Sequence, residues 1–123
     1  MTRTFLRAKL HRATITAADR DYEGSISIDR DLCRTAGLLE FEQVDVYDIT
    51  NAARFTTYVI YGEPGAIQVN GAAAALVSVG DSIIIAAYAS LDEAEIADHT
   101  AAVVLLGAGN TVKSVEHKPV GEP

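Results

Sequence analysis

The segments "EQVDVYDIT" (residues 42–50) and "ARFTTYVIY" (53–61) decide the fold class of this chain. Both largely alternate apolar and polar residues, and both contain β-branched and aromatic side chains, which is typical of strands. Only Asn51 and Ala52 separate them, so the two segments predict a β-hairpin. A hairpin at the centre of a chain of 123 residues indicates a mainly β domain.

Further strands are predicted on both sides of this hairpin. Residues 3–17 contain a stretch with a period of two, which is expected to place six side chains on one face: Phe5, Arg7, Lys9, His11, Ala13 and Ile15. Residues 17–24 are expected to form a polar turn. The other predicted strands cover residues 25–29, 66–69, 82–89, 101–106 and 111–117. About seven short strands in this arrangement predict a small barrel or a sandwich.

Two short helices are predicted between the strands. Asp29 is expected to cap the helix "RDLCRTA" (30–36), which Gly37 would end. "SLDE" (90–93) has the pattern of a capping box and is expected to begin a helix that reaches about Asp98. A third helical turn is expected after residue 70, which gives two or three short helices in all.

Composition bounds the function of the chain. Residues 1–123 have the length of one domain, and 49% of them are hydrophobic. The net charge of −7 argues against binding to nucleic acid or to an anionic membrane surface. Cys33 is the single cysteine, which indicates a reducing compartment. Because no apolar run has the length of a signal peptide or a membrane span, a cytoplasmic protein is expected.

Common catalytic motifs are missing from the sequence. The histidines, His11, His99 and His117, are dispersed, and Cys33 has no partner, so no metal site is expected. There is no phosphate-binding loop and no dinucleotide fingerprint, and no GxSxG motif supports a serine triad. If the chain is an enzyme, it must obtain an electrophile in another way.

The dipeptide Gly24-Ser25, within "DYEGSISID" (21–29), offers such a way. A serine hydroxyl can attack the preceding carbonyl and replace the amide with an ester. Elimination and hydrolysis would then leave a pyruvoyl group, a ketone that forms a Schiff base with an amine and accepts electrons during decarboxylation. Taken alone, the dipeptide is more often a turn, so its neighbours decide the interpretation.

Those neighbours carry a resemblance to a known family. The segments that match are "KLHRATIT" (9–16), "DYEGSISID" (21–29), "VYDITNAARFTTYVI" (46–60), "VNGAAA" (69–74) and "VGD" (79–81). In them the chain resembles the pyruvoyl-dependent aspartate 1-decarboxylases, which convert L-aspartate to β-alanine and CO2 for pantothenate synthesis. The resemblance implies a double-psi β-barrel and a homotetramer with active sites between its subunits.

The resemblance also implies that the chain cleaves itself. Residues 1–24 would become a β chain and residues 25–123 an α chain, with Gly24 at the cleavage site. Ser25 would become the pyruvoyl group, the one cofactor expected. Residues 118–123 are expected to form a flexible tail. The sequence leaves open whether a maturation protein takes part.

Family roles fall on residues of this chain. Tyr58 would donate the proton, and His11 and Tyr22 would complete the pocket. Substrate binding would fall to Lys9, Arg54, Thr57, Asn70, Gly71, Ala72 and Ala73. In a regular strand Thr57 faces away from Arg54 and Tyr58, so either a bulge or the use of both faces at a subunit interface is expected.

Two other functions compete with this one. The first is a pyruvoyl decarboxylase that acts on another acidic amino acid, such as glutamate. The second is a non-catalytic double-psi barrel that serves as a binding or assembly module. Such a module would stay one chain, whereas the enzyme would split at Gly24-Ser25.

Overall fold

The computed structural model describes residues 1–123. Its nine strands are β1 (Arg3–Thr14), β2 (Ala17–Asp19), β3 (Ser25–Asp29), β4 (Gln43–Asp48), β5 (Arg54–Gly62), β6 (Ile67–Asn70), β7 (Ser82–Leu91), β8 (Thr100–Leu106) and β9 (Val112–Pro119). Its helices are α1 (Arg30–Ala36), α2 (Glu93–Ile96) and two 3₁₀ helices, Gly71–Leu76 and Ala108–Asn110. None of these helices is long and apolar enough to cross a membrane.

The strands form one sheet that curls into a barrel. Their order is β2-β6-β3-β5-β4-β7-β1-β8-β9, with β2 at one edge and β1 seventh. Only two residues join β1 to β2, so the seven strands from β2 to β1 must bend until their ends meet. The Thr16 amide bonds the Ile67 carbonyl at 2.8 Å across this junction. The predicted mainly β class and small-barrel architecture are therefore confirmed.

The central hairpin forms as predicted. β4 and β5 are antiparallel, with Tyr47 opposite Arg54 and Gln43 opposite Tyr58. The chain reverses at Asn51 and Ala52, where Ala52 takes a positive φ of 66°. This hairpin brings Arg54 and Tyr58 onto one outer face of the barrel.

Strand β1 differs from the expected regular alternation. Its pairing with β7 shifts between Leu6 and Ala8 and again between His11 and Ala13, and Arg12 takes a φ of 65°. Each extra residue turns the following side chains to the other face. Ala13 and Ile15 therefore point into the core, and the prediction that they share a face with His11 was wrong.

Helix α1 confirms its predicted caps, whereas α2 begins later than expected. The Asp29 carboxylate accepts from the Asp31 amide, and Gly37 ends α1 in the left-handed region. The capping box of α2 joins Asp92 to Glu95, so the prediction of a box at residues 90–93 was wrong. Residues 17–19, expected in a turn, pair with β6 as strand β2.

The core lies inside the barrel and under α1. Twenty-two buried residues form one cluster, to which every strand from β3 to β7 contributes. Its largest fully buried side chains are Leu10, Ile15, Ile26, Ile28, Ile67, Ile83, Ile85, Val44, Val46, Val59, Val69 and Val104. This closed core leaves the functional side chains on the outer face and at the strand ends.

Asn110, in the turn between β8 and β9, ties three segments together. Its amide nitrogen donates to the carbonyls of Thr14 and Gly65, both at 3.0 Å, and its oxygen accepts from the Thr14 amide at 2.7 Å. The residue is 3% exposed and has a φ of 57°, a conformation that asparagine tolerates well.

Replacing Asn110 with alanine should lower the free energy of unfolding by about 2–4 kcal/mol, because it leaves buried backbone groups without partners. Chemical denaturation measures this loss. Asn51→Ala is the matched control: its side chain also bonds distant backbone, at Leu76, but it is exposed. An equal loss of unfolding free energy in both variants would contradict the role of Asn110 in joining the segments of Thr14 and Gly65.

Candidate active site

Ser25 begins β3 and is completely buried. Its hydroxyl donates to the Glu23 carbonyl at 3.2 Å and accepts from the Asn70 amide at 2.9 Å. Asn70 lies directly opposite Ser25 in the β3–β6 pairing and also donates to the Ser27 hydroxyl. Gln68 in turn donates to the Asn70 oxygen at 2.7 Å, which fixes the orientation of the asparagine amide. The nucleophile expected at position 25 is therefore held in one place.

Gly71 presses against the backbone of the expected cleavage site. It has a φ of +75°, and a Cβ built on it would lie 2.6 Å from the Gly24 Cα and 2.8 Å from the Gly24 nitrogen. Only a residue without a side chain allows this approach. A Cβ on Gly24 itself would meet nothing within 4 Å, so the tight requirement for glycine falls on position 71.

Tyr58 and Thr57 lie on β5, the parallel neighbour of β3. The register of this pair, continued back by one residue, sets Ser25 beside Tyr58. One residue earlier, it sets Gly24 beside Thr57. The fold thus brings together four residues that the sequence singled out, at the point where the start of β3 lies beside the middle of β5.

The two faces of β5 separate Thr57 from Tyr58. Pairing with β4 is regular from Arg54 to Tyr58, so no bulge turns Thr57 toward them. Of the two arrangements expected from sequence, only the use of both faces fits this strand. The role of Thr57 in substrate binding stays a prediction.

The remaining residues expected in this pocket lie around Gly71. Ala72 is exposed and Ala73 half-buried in the first turn of the 3₁₀ helix. The Tyr22 carbonyl would lie 3.3 Å from a Cβ on Gly71, but the Tyr22 side chain is 54% exposed. We call Gly24, Ser25, Asn70 and Gly71, together with Thr57 and Tyr58, the cleavage cluster.

Lys9, His11 and Arg54 lie elsewhere on the barrel. A row of directly opposed residues runs from His11 on β1 through Ile84 and Tyr47 to Arg54 on β5. Opposed residues share a face, so these side chains lie together on the outer surface. Lys9 begins the next row, beside Ala86. We call Lys9, His11, Tyr47 and Arg54 the cationic face.

Tyr47 and Tyr88 support Arg54, and the sequence interpretation did not include either of them. The Arg54 guanidinium lies 4.3 Å from the centre of the Tyr47 ring. The Tyr47 and Tyr88 hydroxyls are 2.7 Å apart, and this hydrogen bond, with burial, raises the pKa of Tyr47 to about 12. Tyr47 is therefore a neutral platform at physiological pH.

His11 is half-buried, and its Nδ1 has no hydrogen-bond partner. Burial first, then the charges of Lys9 and Arg12, lower the pKa of its ring below the usual range. His11 is therefore neutral at physiological pH and does not add to the charge of the face.

Lys9 is one of the residues that line a surface cavity of about 380 Å³. His99 and Lys118 also line this cavity.

The cleavage cluster and the cationic face lie apart within one chain. Arg54 is four residues from Tyr58, about 13 Å along the strand, and its guanidinium points toward β4 and away from β3. Around the closed barrel, β1, which carries Lys9, lies three strands from β3 by way of β2 and β6. The backbone spacing of about 13 Å along β5 is much longer than a four-carbon amino acid. No three metal-binding side chains cluster in residues 1–123.

A pair of buried carboxyl groups holds the turn that precedes Arg54. Asp48 accepts from the amides of Thr50 and Asn51, and Asp81 accepts from the Ser78 amide. The second oxygen of Asp48 meets no hydrogen-bond donor. Burial first, and then the neighbouring Asp81 carboxyl, raise the pKa of Asp48, so that the folded chain holds this proton more tightly than the unfolded chain.

The raised pKa predicts that Asp48 makes stability depend on pH. Its contribution is complete below its unfolded pKa of 3.8 and is lost as the pH rises through the folded value. Asp48→Asn keeps the acceptor oxygen but cannot ionise. Its melting temperature should exceed that of the wild type at pH 7, and the difference should shrink toward pH 4. Asp21→Asn, at an exposed acid, is the control, and an unchanged difference between the two pH values would contradict the assignment.

Comparison with known proteins defines the class first: the chain is a decarboxylase. Residues 1–113 match the family model described as aspartate decarboxylase. The chain belongs to the aspartate decarboxylase family.

Several relatives align over nearly their whole length. The aspartate 1-decarboxylase of Methylibium petroleiphilum is 53% identical over 94% of this chain and 98% of its own. That of Ralstonia pickettii is 50% identical over the same shares. That of Caulobacter vibrioides is 54% identical over 92% of this chain and 98% of its own. The recognition made from the motifs is confirmed.

Proposed function

We propose that this protein is an aspartate 1-decarboxylase that activates itself by cleavage between Gly24 and Ser25 and forms β-alanine for pantothenate synthesis. The family supports the reaction, and one observation supports the cleavage: the buried Ser25 hydroxyl is oriented by Asn70 while Gly71 packs on Gly24. The residues on both sides of this peptide bond are therefore restricted, Ser25 by the hydrogen bond from Asn70 and Gly24 by the close packing of Gly71.

The atoms and electrons of the self-cleavage reaction balance with water as the only added reagent. Ser25 Oγ attacks the Gly24 carbonyl carbon and replaces the C–N bond with an ester. Loss of the Ser25 α-proton and departure of the Gly24 carboxylate leave a dehydroalanine, whose hydrolysis releases ammonia and forms the pyruvoyl group. Its ketone supplies an electrophile for the amine and takes up electrons as CO2 leaves.

The residues present fit such a group at position 25. Asn70 offers an N–H donor there, and Tyr58 stands beside it in the strand register. We assign to Tyr58 the donation of the proton that replaces the lost carboxylate, because a phenol next to the reacting carbon is a suitable acid. Asn70 and the backbone of Gly71, Ala72 and Ala73 would orient the bound amino acid.

Arg54 would hold the carboxylate that the substrate keeps. A strong ion pair to the departing carboxylate would stabilise the ground state and oppose decarboxylation. The guanidinium is well placed for a retained carboxylate, since the Tyr47 ring covers one of its faces and leaves its edge free. Lys9 and His11 would complete this anion-binding region.

The separation of the two clusters supports a site shared between subunits. One copy would contribute the cleavage cluster and its neighbour the cationic face, within a homotetramer. This arrangement gives a function to the exposed outer face that carries Arg54.

Mass spectrometry under denaturing conditions tests the proposal. We expect two fragments, residues 1–24 and 25–123, with a borohydride-reducible carbonyl at the start of the larger one, and β-alanine from aspartate. An intact chain that stays inactive would favour a binding module. Cleavage with turnover of glutamate but not of aspartate would favour the other decarboxylase.

Arg54→Ala should still cleave itself but raise the KM for aspartate at least tenfold, because the retained carboxylate loses its partner. The KM of Arg54→Lys should lie between those of the wild type and Arg54→Ala. Steady-state kinetics measure both, with Arg34→Ala as the control, since Arg34 is an exposed arginine paired with Asp31. A normal KM in Arg54→Ala would contradict the carboxylate assignment.

A further inference from the structure

Phe41 adopts a conformation that its residue type disfavours. It lies between α1 and β4 with a φ of +70°, in the left-handed region, where glycine and asparagine are common and a bulky aromatic residue is an outlier. Its backbone is fixed there, because its amide donates to the Val59 carbonyl at 2.7 Å and the Val59 amide donates to the Glu42 carbonyl at 3.0 Å.

Burial does not account for a phenylalanine at this position. Phe41 is 71% exposed and lies outside the core cluster. Asparagine would suit the backbone better and would expose less apolar surface. An unfavourable residue that a rigid surrounding holds in place indicates a functional constraint.

The ring of Phe41 packs against Tyr58. Their centroids are 6.3 Å apart, and their planes are inclined by 47°. The Tyr58 hydroxyl has no hydrogen-bond partner within the chain, so packing decides which way the phenol points. Phe41 lies on the side of Tyr58 toward β4, whereas Ser25 lies on the side toward β3.

We propose that Phe41 is a positioning residue for Tyr58, whose ring restricts the phenol to the rotamer that presents its hydroxyl toward residue 25. The proposal rests on the proposed function, in which Tyr58 donates a proton there. Phe41 itself touches neither the substrate nor the scissile bond.

Phe41→Asn tests this role, because asparagine tolerates the backbone conformation and removes the ring. We expect a melting temperature no lower than that of the wild type and normal self-cleavage. We also expect a kcat about two- to tenfold lower, the range that one aromatic pair is worth, with KM unchanged. Phe41→Tyr, which keeps an aromatic ring, should have the kcat of the wild type. Leu39→Asn, at a residue with similar exposure, should have it as well.

A second readout is independent of turnover. The three-bond couplings between Hα and Hβ of Tyr58, measured by NMR, report its χ1 rotamer. One dominant rotamer in the wild type and averaged couplings in Phe41→Asn would support positioning. Unchanged couplings, a normal kcat, impaired cleavage or a smaller assembly by light scattering would each overturn it. A wild-type protein that neither cleaves itself nor decarboxylates aspartate would refute the proposed function instead.

Discussion

Ser25→Ala is expected to remain one intact chain without decarboxylase activity. The substitution removes the hydroxyl of the residue that directly follows the Gly24 carbonyl, so neither the ester nor the ketone derived from it can form. Denaturing mass spectrometry and a β-alanine assay measure the two losses. Both should be complete within detection, since no other group supplies the electrophile.

The variant should nevertheless fold. Ser25 contributes two hydrogen bonds, and the Asn70 amide keeps its second partner, the Ser27 hydroxyl at 3.2 Å. The loss in unfolding free energy should therefore be about 1 kcal/mol. Thermal unfolding checks that inactivity does not come from unfolding.

Ser27→Ala is the matched control for this experiment. It removes the other hydroxyl that Asn70 contacts, two residues further along β3, without touching the scissile bond. It should cleave and decarboxylate normally. A break at residue 24 in Ser25→Ala, or an intact chain in Ser27→Ala, would refute the assignment of the nucleophile.

Features with local signals could be predicted from the sequence. The central hairpin follows from alternation around Asn51-Ala52, and α1 follows from the Asp29 cap and from Gly37, which takes the left-handed conformation that glycine permits. In these segments neighbouring residues supply most of the energy that selects the structure, so a short window is sufficient.

Features that depend on distant pairing could not be predicted. Two overlapping capping-box patterns occur in the sequence near residue 92, and the one that starts at Asp92 forms the box because Ser90 and Leu91 pair with β1. The bulge at Arg12 has no glycine or asparagine to mark it. Likewise, Ala17 becomes a strand residue only because β6 lies beside it.

The candidate site, like the fold, could be predicted from the sequence only in part. Motif resemblance named Ser25 and Asn70, which are 45 residues apart in sequence, and the fold brings their side chains to 2.9 Å. Tyr47 was missed, although the register of the predicted hairpin already sets it opposite Arg54. Tyr88 had no such signal, because its contact with Tyr47 requires the β4–β7 pairing.

Gly71→Ala is the second substitution with a large expected effect. A Cβ at this position would meet the Gly24 Cα at 2.6 Å and would require a φ that alanine disfavours. Since the nearest atoms to this Cβ all belong to the backbone of Gly24 and Tyr22, relief requires the main chain at Gly24 or at position 71 to move. We expect the rate of self-cleavage to fall more than a hundredfold and the free energy of unfolding to fall by about 2–4 kcal/mol.

Gly80→Ala separates the two causes. Gly80 also has a positive φ, +94°, but a Cβ there meets nothing within 4 Å. It should lose about 1–2 kcal/mol from backbone strain alone and cleave at the normal rate. The rate of appearance of residues 25–123, followed from freshly purified precursor, compares the two variants. Equal rates would mean that the contact between Gly71 and Gly24 has no part in cleavage, whereas slow cleavage in Gly71→Ala alone would place the constraint at the scissile bond.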